Sequence, residues 1–340
     1  MKSTIKDVAR LANVSISTVS RVLNNPEIVV PEKREKVLEA IQRLHYSPNA
    51  LARGLIHKRT QTLGVLIPDI SNLFYSAVLR GMEDAAHRSG NNLIICNTDN
   101  NRERRSSILS VLNEKQIDGV VWTSEPVDSG SYELFGKFGF PVVLAATHSL
   151  EFELPSVKID EEQAAYDAAE YLIRRGHTRI GMISGPAADP ISGHPRIRGF
   201  LRALDDYGIE GDAQSNIEYG KYHFENSYTA MSKLYAKLPD MTAVFASSDE
   251  RALAAISFLH DNRIKVPDDI SVISFDNTRM AGMSTPRLTA VAQPLYDIGY
   301  LAVAKLIGLI NGEPPQQLRT YVAHSIVERD SVSDRGAGGF

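Results

Sequence analysis

Residues 4–25 read TIKDVARLANVSISTVSRVLNN, and this stretch decides the fold of the amino-terminal part of the chain. Apolar side chains at helical spacing predict a first helix over residues 5–12, which an Asn-Val pair then interrupts. Ser15 is a favourable N-cap for a second helix over residues 16–23. Two short helices separated by such a brief turn indicate a helix-turn-helix motif.

A third helix opens at Pro31, a residue suited to the first turn of a helix. The apolar faces of the three helices are predicted to contain Ile5, Val8, Leu11 and Ala12, then Val19, Val22 and Leu23, then Val37, Leu38, Ile41 and Leu44. Three short helices around one seam predict a helix-turn-helix head over residues 1–47, whose second helix enters a major groove.

The candidate DNA-binding residues of the second helix are Ser15, Ile16, Ser17, Thr18 and Arg21. An arginine fork on a guanine edge is worth about 1–3 kcal/mol of discrimination. The Ser17 and Thr18 hydroxyls can bond a base or a phosphate, and the helix N-terminus at Ser15 favours phosphate oxygens. The alternative is a three-helix bundle that serves only as an interaction domain.

Charge separates the head from the rest of the chain. Residues 1–60 hold 11 Lys and Arg against 5 Asp and Glu, whereas the remaining 280 residues hold 26 against 36. A basic head on an acidic body indicates that only the head meets a polyanion such as DNA. A solvated basic surface would give the same charge, so the spacing of the helices favours the DNA-binding interpretation.

The quoted stretch, together with SPNALARGL at residues 47–55, resembles the head and hinge of the LacI/GalR family of bacterial repressors. The resemblance continues through essentially the whole chain. It implies that Ile16, Ser17 and Arg21 read an operator in the major groove. It also implies a homodimer on a pseudo-palindromic operator, in a cytoplasmic protein that controls transcription.

The hinge is predicted over residues 48–60, with a short helix over 49–57 that is marginal on its own. The family resemblance implies that two hinge helices enter the minor groove together and that a leucine wedges into a base step. The residues that this assigns to the minor groove are Asn49, Ala52, Arg53 and Leu55. The alternative is that the hinge leucines pack on the body.

The body is predicted to be α/β, with two doubly wound parallel lobes of the periplasmic-binding-protein type. Short apolar runs predict strands over 62–67, 92–97, 118–123, 140–145, 179–184, 242–247 and 270–275. Amphipathic stretches predict helices over 72–89, 161–175, 196–207, 224–237 and 249–262. The resemblance implies three crossings between the lobes. The resulting boundaries are 61–160 with 293–324, 161–292 with 325–332, and a disordered tail over 333–340.

An effector cleft is expected between the lobes, because ligands of doubly wound sheets bind beyond the carboxyl ends of the strands. Asn72 and Phe74 follow the first strand, Arg196 begins a helix, and Asp276 ends a strand. A carboxylate, a guanidinium and an aromatic ring suit a sugar or a sugar phosphate. The alternatives are an ordinary turn at Asp276 and a solvated charge at Arg196.

AQPLYDIG at residues 292–299 resembles one branch of the family, whose corepressor is the phosphocarrier protein HPr phosphorylated on a serine. The resemblance places HPr docking at Tyr296 and Asp297, with Lys305 as the nearest cation. The two positions that hold the phosphate in that branch are Ala304 and Gly308 here. A doubly charged phosphate needs charged partners, so the sequence predicts either weakened dependence on HPr or another signal.

No nucleotide-binding or catalytic motif, no metal-ligand spacing and no membrane-spanning run occurs in the sequence. No cofactor, no bound metal and no catalytic residue are therefore expected. The single cysteine, Cys96, lies in a predicted buried strand and is interpreted as a core residue. A solute-binding protein or an α/β enzyme would share the body, but the first would lack the basic head and the second would need a catalytic constellation.

Overall fold

The computed structural model of the chain describes residues 3–46, 59–209, 214–220 and 223–336. The chain divides between Gln61 and Thr62 into two compact units, a head and a body. The predicted hinge helix, with Asn49, Ala52, Arg53 and Leu55, lies outside the described residues.

The head consists of three α-helices and a short 3-10 turn. They are α1 (Ile5–Leu11), α2 (Ile16–Asn24), the 3-10 turn (Pro26–Ile28) and α3 (Pro31–Arg43). A capping box begins α1, because the Thr4 hydroxyl accepts from the Asp7 backbone N–H while the Asp7 carboxylate accepts from the Thr4 backbone N–H. The core is formed by Val8, Ala9, Ala12, Val19, Val22, Val29, Val37 and Ala40.

Two predicted core leucines of the head are exposed. Leu11 is 44% exposed and Leu38 is 47% exposed, whereas Ala9 and Ala40 are buried. A core this small accepts only a narrow face of each helix, and alanine at those positions lets the helices approach closely. The prediction that Leu11 and Leu38 belong to the buried seam is therefore wrong.

Two six-stranded sheets form the centre of the body. The first contains β1 (Thr62–Ile67), β2 (Asn92–Asn97), β3 (Gly119–Thr123), β4 (Val142–Ala145), β5 (Ser156–Lys158) and β11 (Arg319–Tyr321). The second contains β6 (Ile180–Ser184), β7 (Ile217–Tyr219), β8 (Ala243–Ala246), β9 (Ser271–Asp276), β10 (Thr289–Ala292) and β12 (Ser325–Val327). The strand orders are β11-β5-β4-β3-β1-β2 and β12-β10-β9-β8-β6-β7, so the two lobes share one topology.

The strands pair in parallel except for β10 with β12. The helices that cover the sheets are α4 (Phe74–Arg88), α5 (Arg102–Glu114), α6 (Ser129–Phe138), α7 (Glu161–Arg174), α8 (Gly193–Asp206), α9 (Phe224–Lys237), α10 (Asp249–Asp261), α11 (Arg279–Met283) and α12 (Leu295–Ile310). The chain passes between the sheets after β5, after β10 and between β11 and β12. The α/β fold with two parallel-sheet lobes is confirmed.

Glycines allow two helix pairs to cross with their backbones in contact. A Cβ atom on Gly299 of α12 would lie 2.0 Å from the Val78 carbonyl oxygen of α4. A Cβ atom on Gly199 of α8 would lie 2.0 Å from the Glu162 carbonyl oxygen of α7. Each lobe therefore carries one close-packed helix pair at equivalent places in its topology.

Strand β2 lies at the edge of the first sheet, where it pairs only with β1. The Cys96 side chain is consequently half-buried, and partial burial raises the pKa of its thiol. The prediction of a fully buried strand is wrong for β2, because a run of apolar residues does not distinguish an edge from a centre.

The predicted disordered tail is corrected at its beginning. The Ser333 backbone N–H donates to Ser271 Oγ at 3.0 Å, and the buried His177 ring bonds the Ser333 carbonyl oxygen at 3.1 Å. Arg335 Nη2 donates to the Asp269 carbonyl oxygen at 2.7 Å. Residues 333–336 therefore lie along the second lobe, and residues 337–340 are outside the described part of the chain.

Within the described ranges, no helix has the length and apolar character needed to cross a bilayer. The same ranges contain no group of three or more His, Cys, Asp or Glu side chains that could hold a metal ion.

Candidate DNA interface and effector cleft

The outer face of α2 presents the residues predicted to bind DNA. Ser15, Ser17 and Arg21 are exposed, Ile16 is 45% exposed, and Thr18 is half-buried. An isoleucine that is half exposed in a head with so small a core is available for contact with another surface. The side chains of this face are thus directed outward, as a recognition helix requires.

Ser15 acts as the N-cap that the sequence predicts. Its hydroxyl accepts from the Thr18 backbone N–H at 3.1 Å and lies 2.8 Å from both Ser17 Oγ and Thr18 Oγ1. The three hydroxyls therefore hold one another at the N-terminus of α2. Ser15 and Thr18 mainly shape this end of the helix, and Ile16, Ser17 and Arg21 are left as the strongest candidates for base contact.

A cleft of about 310 Å³ lies between the two lobes of the body. Asn72, Phe74, Arg196 and Asp276, chosen from sequence at three separate places, all line this one cleft. Its volume is near the lower end of the range of about 300–1,000 Å³ that is common for small-molecule sites. Their role as effector contacts stays a prediction, but the fold brings these four residues together.

Arg196 is the best-held side chain of the cleft. Its Nε donates to Glu161 Oε2 at 2.8 Å, its Nη1 donates to the Ser247 carbonyl oxygen at 2.5 Å, and its guanidinium lies 3.8 Å from the centre of the Phe275 ring. Burial opposes the charge, yet the nearby carboxylates of Glu161 and Asp276 raise its pKa. Arg196 is therefore a fixed cation at the floor of the cleft.

Asp276 ends β9 in an unusual backbone conformation, with φ at +98°. Its Oδ1 accepts from Gln293 Nε2 at 2.8 Å and lies 3.8 Å from Arg196 Nη2. Burial raises the pKa of Asp276 to about 7 in spite of Arg196. Backbone strain and a shifted pKa at one buried residue are typical of functional sites.

Asp249 is a second buried carboxyl group of the cleft. Its Oδ1 accepts from Ser274 Oγ at 2.7 Å, and its Oδ2 accepts from the Thr278 backbone N–H at 2.6 Å. Burial raises its pKa, and these hydrogen bonds oppose the rise. Asp249 thereby holds the turn that follows Asp276 and fixes the strained backbone there.

Sequence reasoning missed several lining residues. They include Glu161, Asp189, Ser192, Ser248, Asp249, Glu250, Arg251 and Thr278. Most of them follow β6, β8 or β9 directly, so the rule that ligands bind beyond the carboxyl ends of parallel strands would have found them if applied to every strand. Glu161 required the structure, because it follows a strand too short to be predicted.

The predicted partner-docking residues lie on the face formed by α4 and α12. Tyr296 and Asp297 are exposed, and the Tyr296 hydroxyl donates to Asp84 Oδ2 at 3.0 Å. The Tyr296 ring stacks against Tyr300 at 6.1 Å, and Arg88 Nη1 donates to the Tyr300 hydroxyl at 3.1 Å. The face is therefore an aromatic surface held by hydrogen bonds, with the Asp84 carboxylate and the Arg88 guanidinium at its border.

Lys305 does not belong to this exposed face. Its Nζ donates to Thr320 Oγ1 at 2.7 Å and to the Gln317 carbonyl oxygen at 2.8 Å, and burial lowers its pKa. The prediction that Lys305 takes part in docking is corrected on this geometry. A Cβ atom on Gly308 would lie 3.5 Å from a Glu313 carboxylate oxygen, so a negative charge lies beside one of the two positions where the sequence predicts lost phosphate contacts.

Comparison with known proteins matches one family model in the head and another in the body. Residues 4–49 match the model of bacterial regulatory proteins of the lacI family, and residues 169–332 match a periplasmic binding protein-like domain. The chain belongs to the lacI family and is a DNA-binding transcription regulator. Catabolite control protein A of Priestia megaterium is similar to it, with 43% identity over 332 residues that cover 98% of this chain and 100% of the relative.

Two solved structures add to the comparison. The complex of the transcriptional regulator CelR with cellobiose superposes with a TM-score of 0.75 at 30% identity and covers 97% of this chain and 100% of its own. The lac repressor dimer bound to operator superposes with a TM-score of 0.86 and covers 98% and 100% of the two chains. At 24% identity the second likeness supports the fold.

Proposed function

We propose that the chain is a cytoplasmic repressor of carbon-utilisation genes, able to activate at some sites, that binds a pseudo-palindromic operator as a homodimer. The observation that carries the proposal is the outward face of α2, with Ile16, Ser17 and Arg21 on a basic head. Similarity to catabolite control protein A over 98% of the chain supports the regulated gene class. Because the relatives are transcription regulators, we propose no catalytic activity and no cofactor.

The domain boundaries of this proposal are residues 1–47 for the head, 48–60 for the hinge, 61–160 with 293–324 for the first lobe and 161–292 with 325–336 for the second. Ligand or partner binding would change the relative orientation of the lobes and thereby the pairing of the two hinges. Operator affinity then depends on how much better the effector binds one arrangement than the other.

The effector of the proposed cleft is a sugar or a sugar phosphate. Arg196 and Asp276 offer a fixed donor and an acceptor, and Phe74 offers an aromatic face, as sugar sites commonly do. The bound cellobiose of the CelR complex supports a sugar in a body of this fold. A repressor of a single catabolic operon that responds to a sugar alone is the alternative within the family.

A second input would be HPr phosphorylated on a serine, docked at Tyr296 and Asp297. We propose that phosphate contributes little to this docking in the present chain. Ala304 carries no charge, Lys305 is turned inward to Thr320, and the Glu313 carboxylate lies beside Gly308. A phosphate of charge near −2 placed beside Gly308 would meet the like charge of Glu313.

The test is fluorescence anisotropy on a labelled palindromic operator with a central CpG step, at fixed salt. Seryl-phosphorylated HPr should tighten operator binding by this chain by less than about threefold. The double variant Ala304→Arg with Gly308→Lys should gain at least about tenfold, since a charge-assisted pair is worth about 1.5–3 kcal/mol. Unphosphorylated HPr is the control, and strong phosphate-dependent tightening of the unmodified chain would contradict the proposal.

A further inference from the structure

The cleft between the lobes is lined by more carboxyl than guanidinium groups. Its described lining contains seven carboxyl side chains, which are Asp69, Asp99, Glu161, Asp189, Asp249, Glu250 and Asp276. The same lining contains two guanidinium groups, Arg196 and Arg251. Walls of one charge sign and low polarisability concentrate the field inside a cleft, so this one attracts cations and repels anions.

Both guanidinium groups are already bonded to the protein. Arg196 donates to Glu161 and to the Ser247 carbonyl oxygen, and Arg251 Nη1 donates to Ser248 Oγ at 3.0 Å. A phosphate group at Arg196 would therefore have to compete with the Glu161 carboxylate for that cation. It would also have to lie among carboxylates that lose their own hydration on binding.

The cleft does offer groups for the hydroxyls of a ligand. Thr278 is 9% exposed and lines the cleft, and its Oγ1 has no hydrogen-bond partner among the residues that the structure describes. A buried hydroxyl without a partner costs free energy, and a ligand hydroxyl at that place would remove the cost. Asp276 and Glu250 add acceptors, which bind hydroxyl or ammonium donors.

We propose that the effector cleft takes a polyol without an anionic group, either a neutral sugar or an amino sugar, and excludes phosphorylated sugars. The inference rests on the proposed role of the cleft as the effector site. Within that role, the carboxyl groups of the cleft select between a sugar and its phosphorylated form, because the two differ in charge. Repulsion from several carboxylates at close range is the cause of the selection.

The test is calorimetry with the full-length protein and no DNA, at pH 8, where Asp276 is ionised. Probes are sets of related sugars: glucosamine, glucose and glucose 6-phosphate, with the corresponding galactose and mannose sets and cellobiose. At least one uncharged or amino sugar should bind, and its phosphorylated counterpart should bind at least about tenfold more weakly. Adding salt from 50 to 500 mM should narrow the difference, because mobile ions screen charge and leave steric exclusion unchanged.

Matched variants locate the effect. Glu250→Gln removes one half-buried carboxylate from the lining and should reduce the preference for the uncharged sugar by about threefold or more. Glu83→Gln removes the same charge from the exposed face of α4, outside the lining of the cleft, and should leave the preference unchanged.

Equal or tighter binding of a phosphorylated sugar would overturn the inference, and so would the failure of every uncharged and amino sugar in the panel to bind. Either result leaves operator binding untouched. A chain that binds its operator yet fails these tests loses this inference alone, whereas a chain that binds sugar but no operator loses the proposed function.

Discussion

At the scale of single residues, the environment of a side chain determines the role that we expect for it. Arg21 is exposed on α2, whereas Arg196 is buried and bonded in the cleft. We therefore expect the same residue type to serve recognition in one unit and fixed electrostatics in the other. Two residue-scale predictions follow from this difference in environment, one for the head and one for the cleft.

Arg21→Ala should lower affinity for the specific operator by about 1–3 kcal/mol, because a guanidinium fork on a guanine edge is lost. Affinity for a scrambled duplex should fall much less, so the ratio of the two dissociation constants shrinks. Anisotropy at fixed salt measures both. Arg43→Ala, which removes an equal charge from α3, is the control and should preserve the ratio; an equal loss in the two variants would exclude a base contact at Arg21.

Asp276→Asn should change how stability depends on pH. Burial raises the pKa of Asp276 from an ordinary 3.8 to about 7. Between these values the unfolded chain binds fewer protons than the folded chain, so this group makes stability fall as pH rises. Asparagine does not titrate and tolerates positive φ, so the melting temperature of the variant should rise relative to that of the unmodified chain from pH 5 to 8.

The titration belongs to the buried pair that Asp276 forms with Asp249, and the pair sets the width of the pH range. Asp330→Asn is the control, because Arg287 lowers the pKa of that exposed carboxyl group below the range measured. Its melting-temperature difference should stay flat from pH 5 to 8. A flat difference for Asp276→Asn as well would mean that Asp276 ionises normally in the folded chain.

At the scale of elements, close helix crossings support the two surfaces that we propose as binding sites. The α4–α12 pair carries the Tyr296 face and depends on Gly299, whose Cα faces the Val78 carbonyl oxygen. The α7–α8 pair carries Glu161 and Arg196, which bond to each other across the crossing. Helix packing in each lobe therefore positions the side chains of the candidate sites directly.

Gly299→Ala should lower the free energy of unfolding of the body by about 1–3 kcal/mol, because the added methyl group forces the two helices apart. Gly136→Ala is the matched control, since a Cβ on Gly136 of α6 meets nothing within 4 Å. That variant should gain up to about 1 kcal/mol from helix propensity. Chemical denaturation measures both, and equal stability of the two variants would contradict the crossing geometry.

Sequence periodicity predicts elements well where burial is uniform and poorly where it depends on neighbours. The strand over 62–67 and the helix over 224–237 have the predicted bounds, because each shows an uninterrupted pattern. Strand β5 has three residues, which are too few to show an alternating pattern. The exposure of Leu11 and the inward turn of Lys305 depend on tertiary packing, which no local pattern encodes.

At the scale of the whole molecule, the family resemblance predicts features that residue patterns alone do not, such as the three crossings between the lobes. Alternating strands and helices predict two lobes, but only the topology shows that Asn72 and Asp276, about 200 positions apart in sequence, line one cleft. The excess of carboxyl groups in that cleft arises from turns after several strands. Single motifs do not reveal such a sum, and this is why the charge of the ligand could not be predicted from sequence.

We propose that the two heads of a homodimer bind the two halves of one operator. The measurement is anisotropy with a palindromic duplex selected by this protein from a random library, compared with the same duplex carrying five additional base pairs at its centre. Half a turn of DNA moves one half-site to the opposite face of the duplex. We expect two chains per duplex and a loss of affinity of at least about 100-fold on insertion; equal affinity for the two duplexes would contradict binding by two heads at fixed spacing.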